Sequence, residues 1–366
     1  MTKKIKMLIA IGGTGGHVFP GLNLAKHLLK NKLDVNLVSD HRGLRFLKNH
    51  DNYNIFKLPS YPLNKKNLKE ILITSIQICY SIIRSLIFLT FNRPSIIFGM
   101  GGYASFPLCI AASILKIKYV IYENNLIMGK ANKILLPFAK KILVANEKLE
   151  GIPKKYSNKI LKIGNIVKEE IIYFSNSNNK DFDFSKGISI LILGGSQAAK
   201  IFAEILPNIF HQCSSNGISL KIYQQCLPNQ NEILKLFYEK AKIKFEIFNF
   251  SDNVLEYFSK VDLAITRSGS SMLAELTNAN IPFISIPLPS SADNHQFKNA
   301  DYYEKKNFAF LVEEKDLNEK LFYLIRDIYN NNSILDKIRK NQSQFSDKNV
   351  YNNIDRVLKE IIYGKN

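Results

Sequence analysis

Apolar residues fall into two alternating patterns along this chain. Short unbroken runs, "IKMLIAI", then "DVNLVS", "SIIFGM", "KYVIYE" and "KKILVA", have the length and β-branched content of buried strands. Between them, apolar residues recur every three or four positions. In the stretch expected to be helical after His17, Val18, Leu22, Ala25 and Leu29 share one face, and Asn23, Lys26 and Lys30 occupy another. Strands separated by helices predict βαβ units and a parallel sheet. The pattern restarts near Gly187. There "GISILILGGSQAAKIFAEILPNIF" is again strand, glycine turn and helix, with Ile201, Phe202, Ile205, Leu206 and Ile209 inward and Lys200, Glu204, Asn208 and Gln212 outward. The two turns lie 182 positions apart, Gly12 to Gly194, in a chain of 366 residues. With ~150 residues to a domain, this predicts an α/β protein of two Rossmann-like, doubly wound parallel-sheet domains. The polar, aperiodic "YFSNSNNKDFDFSKG" is expected to be part of the linker. The final "NVYNNIDRVLKEIIYG" is an amphipathic helix with no strand after it, placed to cap the second domain or cross back onto the first.

The turns carry the chemistry. In "GGTGGHVFPG" four glycines and a histidine join the first strand to its helix, where free amide N–H groups and the positive end of the helix dipole favour an anion, usually phosphate. The spacing is not that of the dinucleotide fingerprint, although Asp40 after "NLVS" is a candidate ribose ligand and keeps a nicotinamide enzyme open. A second cluster, "FGMGGYASFP", also follows a strand, on the edge where open α/β sheets bind ligands. In the second half, "LGGSQAAK" offers Ser196 and Gln197 to a diphosphate. "DLAITRSGSSMLAEL" starts a helix that Ser270 or Ser271 can cap. Glu275 lies one turn in, either to accept both hydroxyls of a ribose or as an ordinary acidic residue favoured by the helix dipole. Asp293 is the expected N-cap of a further helix, with His295 and Gln296 in its first turn.

The formal charge of +19 points to an anionic partner, or to a Lys-, Ile- and Asn-rich composition of no functional meaning. No arginine-rich tail or aromatic-interleaved basic run favours nucleic acid, so none is expected. Cys79, Cys109, Cys213 and Cys226 show no metal-ligand spacing and read as free thiols. "DFD" at Asp181 to Asp183 has the letters of a metal-binding D-x-D but reads as solvated charge; no metal is expected. The most apolar stretch, Ile71 to Phe91, contains Gln77 and Arg84. A central Arg costs about 2.5–3.5 kcal/mol on insertion scales, which excludes a span and leaves a buried helix or one lying in the membrane interface. Lys65, Lys66, Lys69 and Arg93 bracket it, as an anionic bilayer surface would favour.

Seven motifs together resemble the MurG family of bacterial glycosyltransferases, in family order: "GGTGGHVFPG", "GMGGYASFP", "ENN" with "GKAN", "GN" at Gly164, "GGSQ", "RSGSSMLAE" and "PLPSSADNHQFKNA". The resemblance covers the whole chain and implies the GT-B architecture, two Rossmann-like domains facing across a cleft. The implied division is 1–164 for the acceptor and membrane, 165–346 for the UDP-sugar, and 347–366 as a helix packing back on the first domain. It implies inverting transfer of N-acetylglucosamine from its UDP conjugate to the 4-hydroxyl of undecaprenyl-diphosphate-linked N-acetylmuramoyl-pentapeptide. The enzyme would sit peripherally on the anionic cytoplasmic face of the inner membrane and need no cofactor. Carried over by motif, Thr14, Gly15 and Gly16 approach the donor and Asn125 contacts its sugar. Ser196 binds the diphosphate, the loop with Ser251 meets uracil, Ser270 to Glu275, including Ser271, hold phosphate and ribose, and Gln296 reaches the N-acetylglucosamine. Three positions depart from the family pattern: Tyr122 stands for its His, Lys168 for a donor-binding Arg, and Ala198 for a Gly. His17 and Glu123 are both candidates for the base that takes the acceptor proton. A UDP-sugar:diacylglycerol transferase, a UDP-N-acetylglucosamine 2-epimerase, an NAD-dependent oxidoreductase and a membrane-surface scaffold are the competing readings.

Overall fold

The computed structural model describes residues 5–47, 52–62, 67–174, 181–195, 200–249, 251 and 253–364. The chain divides into two compact units, Met1–Val167 with Asp347–Asn366, and Lys168–Ser346.

The first unit holds a seven-stranded sheet. Its strands are β1 (Lys6–Ile11), β2 (Asp34–Ser39), β3 (Asn54–Lys57) and β4 (Ile96–Gly99), followed by β5 (Tyr119–Glu123), β6 (Lys141–Val144) and β7 (Ile160–Lys162). Every pairing is parallel, in the order β3-β2-β1-β4-β5-β6-β7. Met7 to Ile11 on β1 are fully buried, as a strand covered by helices on both faces requires. On one face Leu8, Ala10, Ile97, Ile121 and Ile142 pack with Leu108, Cys109, Ala111 and Ala112 of the helix Gly102–Ile114.

The helix Leu68–Phe91 lies against Gly102–Ile114 with its amphipathicity inverted. Thr74, Ser81, Ser85 and Leu89 are its buried residues, while Leu68 is 84% exposed, Ile76 61% and Phe91 82%. Small hydroxyl residues let the two helix backbones approach. Ser81 and Ser85 satisfy their hydroxyls on the carbonyls of Gln77 and Ser81, each at 2.8 Å. The large apolar side chains at 68, 72, 76, 83, 87 and 91 form an outward stripe, so this is not the buried helix that the sequence allowed. By length and composition it is the one helix among the described residues apolar enough to cross a membrane.

The second unit repeats the plan with six parallel strands: β8 (Ile188–Leu193), β9 (Leu220–Gln225), β10 (Lys244–Phe248), β11 (Leu263–Arg267), β12 (Phe283–Ile286) and β13 (Phe310–Leu311). Their order is β10-β9-β8-β11-β12-β13. Alternate residues of β8 serve opposite faces. Ile190 and Ile192 join Phe202, Leu206, Phe210, Leu321 and Ile325, while Leu191 and Leu193 join Leu273, Leu276 and Tyr303.

The chain passes from unit to unit at Val167–Lys168 and Ser346–Asp347. The stretch expected as a linker therefore falls inside the second unit, where Phe182 and Phe184 are buried in the core. Their alternation with exposed Asp181 and Asp183 is strand-like, and Asp183 accepts from the Ser185 amide at 2.9 Å. The last helix, Val350–Tyr363, belongs to the first unit. There Tyr351 donates to the Val167 carbonyl at 2.6 Å and stacks on His27, whose Nε2 lies 3.1 Å from Asp355.

Candidate active site

In each sheet the strand order reverses beside the first strand, between β1 and β4 and between β8 and β11. That leaves a crevice at the carboxyl ends of those strands. The motif loops hang on these ends.

In the first unit the helix after β1 starts at Gly15, two residues before His17, because the Thr14 carbonyl already accepts from the His17 and Val18 amides. His17 thus occupies the first helical turn rather than the loop. Thr14 holds the N-cap position with no side-chain cap, and its hydroxyl lies 3.4 Å from His17 Nδ1. The imidazole rests on the second glycine cluster, where Gly101 and Gly102 have φ of +90° and +70°. A methyl group on Gly101 would stand 3.3 Å from His17 Cδ2, and one on Gly102 3.2 Å from Cε1. These two glycines form a floor for the ring, a use of glycine that the sequence pattern did not disclose.

Asp40 is not available to a ribose. Its carboxylate accepts from the amides of Gly13 (3.0 Å) and Gly43 (2.8 Å), from Arg42 Nε (2.9 Å) and from Ser60 Oγ (2.9 Å). Burial alone would raise its pKa. These bonds outweigh it and hold the group below the ordinary carboxylate value. Asp40 caps a short helix and anchors the first glycine loop, which removes the support for a nicotinamide site.

The third loop follows β5. Glu123 is buried, and its Oε1 accepts from the Asn125 amide and side chain at 3.1 Å each. Oε2 accepts from the Gly129 amide at 2.9 Å and Asn132 Nδ2 at 3.0 Å. Burial raises its pKa, and the four bonds offset only part of that. Asn124 donates to the Gly16 carbonyl at 3.2 Å, tying this loop to the helix that carries His17. Tyr122 fills the position of the family's His with a hydroxyl that donates to the Gly164 carbonyl and accepts from the Ile166 amide at 3.1 Å.

In the second unit Ser196 lies outside the described residues. Just before it, the Gly194 amide donates to Gln225 at 3.1 Å. Ser251 accepts from the Asn253 amide at 3.1 Å and so braces its own loop. The helix Ser270–Asn278 has Gly269, not a serine, at its N-cap. Ser270 and Ser271 are its first two residues, where amides have no intrahelical acceptor in any helix. Glu275 stands in the next turn. Burial pushes its carboxyl up to about 7, and the charge of Lys168 draws it partly back. Gln296 accepts from the Ser268 amide at 3.2 Å and the Leu288 amide at 3.0 Å, bracing the β11 and β12 loops against each other. Asn299, which sequence reasoning missed, adds a bond from Nδ2 to the Ser268 carbonyl at 3.2 Å. Asp293 does not cap the helix His295–Lys305: Asp293 and Asn294 form a left-handed turn ahead of it, with no side-chain cap.

Residues 7–144 match the glycosyltransferase family 28 N-terminal domain, and residues 189–354 its C-terminal domain. Together with two parallel-sheet units whose loops gather at the switch points, this defines a two-domain glycosyltransferase. A relative from Pelagibacter ubique, named UDP-N-acetylglucosamine–N-acetylmuramyl-(pentapeptide) pyrophosphoryl-undecaprenol N-acetylglucosamine transferase, is 40% identical over 364 residues, 99% of each chain. The chain belongs to the MurG family of glycosyltransferases. The crystal structure of Acinetobacter baumannii MurG has the same fold, with a TM-score of 0.76 and 23% identity over 97% of this chain and 99% of that one. So does the crystal structure of a UDP-N-acetylglucosamine 2-epimerase, at 0.66 and 13% over 100% and 98%. The fold is thus shared by transferases and epimerases, and it is the sequence that separates them.

Proposed function

We propose that this chain transfers N-acetylglucosamine from its UDP conjugate to the 4-hydroxyl of an undecaprenyl-diphosphate-linked N-acetylmuramoyl-pentapeptide, inverting the anomeric centre. The observation that carries the reading is 40% identity to the Pelagibacter ubique transferase across 99% of both chains.

The second unit holds the donor. Glu275 accepts the ribose hydroxyls, and the first-turn amides at Ser270 and Ser271, with the "GGSQ" turn and Ser196, stabilise the charge that gathers on the departing diphosphate. Ser251 lines the uracil loop, and Gln296 offers its amide nitrogen to the sugar, its oxygen being occupied by two backbone amides. Lys168 acts through its charge on Glu275. From the first unit, Thr14, Gly15, Gly16 and Asn125 meet the sugar. His17 takes the acceptor proton, a role that imidazole suits near neutral pH, and the Thr14 hydroxyl, 3.4 Å from Nδ1, helps to orient the ring. Glu123 makes a poor base by comparison, because each of its oxygens already holds two donors.

The outward stripe of Leu68–Phe91, with Lys69 and Arg93 at its ends, rests on the anionic cytoplasmic face of the inner membrane and brings the enzyme to its lipid substrate. The deciding assay supplies labelled UDP-N-acetylglucosamine with the lipid-linked muramoyl acceptor, with diacylglycerol, or with no acceptor. A β-linked disaccharide on the muramoyl lipid is expected. Label on diacylglycerol alone, or UDP-N-acetylmannosamine formed without acceptor, would replace this reading with one of its rivals.

A further inference from the structure

The polypeptide crosses between the units twice, and both crossings are fastened to the first unit at one place. The outgoing segment 163–167 is buried, and side chains from β5, from the returning segment and from the last helix hold its backbone. The Tyr122 hydroxyl donates to the Gly164 carbonyl at 3.3 Å and accepts from the Ile166 amide at 3.1 Å. Asn353 Nδ2 donates to the Ile163 carbonyl at 3.2 Å, and the Tyr351 hydroxyl to the Val167 carbonyl at 2.6 Å. Asp347 is the first residue of the returning segment. Its Oδ1 accepts from the Asn165 amide at 2.9 Å and its Oδ2 from Asn165 Nδ2 at 3.1 Å. Gly164 makes room for this approach: a methyl group there would stand 2.5 Å from Asp347 Oδ1, at a φ of +99°. Past the boundary the second unit takes over at once. The Lys168 carbonyl accepts from the Ile171 amide at 3.0 Å, and Phe345 packs on that unit's core, with only exposed Ser346 before Asp347.

We infer that the Asn165–Asp347 pair is a bolt that pins both crossings to the first unit, and that Asp347 is thereby a positioning residue for sugar transfer. Movement of one unit against the other is confined to the backbone torsions at Val167–Lys168 and Ser346–Asp347. This deepens the proposed reaction and rests on it, because that reaction holds its donor on the second unit and draws its base from the first. Without the bolt both segments slacken, and a misplacement of about 1 Å at the reacting atoms costs about a hundredfold in rate. Asparagine at 347 cannot keep the bolt. It offers one oxygen to the Asn165 backbone amide but sets an NH2 group against Asn165 Nδ2. Exchanging the two side chains restores it, with a carboxylate at 165 accepting from a carboxamide at 347.

Steady-state kinetics, calorimetry with UDP-N-acetylglucosamine and hydrogen exchange of peptides spanning 161–168, all on the full chain, test this. Asp347→Asn is expected to lower kcat about ten- to a hundredfold with the donor Kd unchanged. Exchange at the Asn165 and Ile166 amides should speed up about tenfold or more. Asp347→Asn combined with Asn165→Asp should recover most of the turnover and the protection, which a generally loosened fold would not. Tyr122→Phe leaves the Gly164 carbonyl and the Ile166 amide without their hydroxyl partner. It should show the same split between kcat and donor Kd, and it decides the matter if Asp347→Asn does not fold. Normal kcat in Asp347→Asn, donor affinity falling in step with kcat, or a double variant no better than the single one would each overturn the inference. Failure of the wild type to bind UDP-N-acetylglucosamine, with protection still restored by the double variant, would sink the proposed reaction and leave the bolt standing.

Discussion

Glu275 is where binding and stability pull in opposite directions, and Glu275→Gln exposes both. The ordinary carboxyl value is 4.5, and burial in the folded second unit lifts it to about 7 despite the charge of Lys168. Between those values the folded chain holds a proton that the unfolded chain has released. The stability associated with this group is therefore fully present below about pH 4.5 and is lost as pH rises through about 7. The shift is worth about 3 kcal/mol at most, and the residual exposure of the side chain discounts it to about 1–2 kcal/mol. A glutamine carries no such term. The ligand-free variant should melt several degrees above wild type at about pH 8, at roughly 2–4 °C per kcal/mol, with the gap closing toward about pH 5. Donor binding should move the other way. Hydrogen bonds to a charged acceptor are worth about 1.5–3 kcal/mol, so UDP-N-acetylglucosamine should bind the variant about ten- to a hundredfold more weakly. Wild-type Kd should rise by up to about tenfold per pH unit below about 7, and that slope should vanish in the variant. Calorimetry with the sugar nucleotide, whose diphosphate has no free terminal phosphate to titrate, reads the effect directly. A variant less stable than wild type at pH 8, or a wild-type Kd that does not change between pH 8 and 6, would refute the reasoning.

His17→Ala should lower kcat by about 10²–10⁴ with the donor KM little changed and remove the low-pH limb of the rate profile. Near-normal turnover would dismiss His17 as base. Gly102→Ala brings a methyl group to 3.2 Å from His17 Cε1 at a φ of +70°. It should cost about 1–3 kcal/mol of stability and displace the ring enough to slow turnover by up to about a hundredfold, checked by melting curves and kcat. Ile76→Glu with Ile83→Glu changes two exposed positions of the apolar stripe. Each removes about 1–3 kcal/mol of membrane burial, so sedimentation with anionic vesicles should fall more than tenfold while Tm and turnover of a soluble acceptor stay the same. Unchanged vesicle binding would move the membrane surface elsewhere.

The alternation of strand and helix was legible in the sequence because buried parallel strands are uniformly apolar and their helices are not. The glycine turns were legible because each sits directly after a strand. What the pattern could not supply was pairing at a distance. Asp40 reads as a ribose ligand until Ser60, twenty positions on, and Arg42 are seen to consume its oxygens. The role of Gly101 and Gly102 depends on a ring some 85 residues earlier in the chain. Composition misled where it outweighed periodicity. The polar stretch before Gly187 hid the inward alternation of Phe182 and Phe184, and the apolar content of Leu68–Phe91 hid the fact that its serines, not its isoleucines, face the protein.

Three carboxylates at the ends of these sheets show how folding separates scaffold from site. Asp40 receives four donors, one of them the Arg42 guanidinium, and is held ionised. Glu123 also receives four, all neutral amides, so burial still raises it, but no lone pair is left for chemistry. Glu275 is half-buried, burial raises its carboxyl, and the offset seen among the described residues is the charge of Lys168. A carboxylate that burial raises is costly to ionise in the free protein and gains when a ligand brings hydroxyls to it. Of these three carboxylates Glu275 shows the fewest donors among the described residues, which suits it to the ribose hydroxyls of the proposed donor. The raised value then predicts a donor affinity that rises with pH through the neutral range.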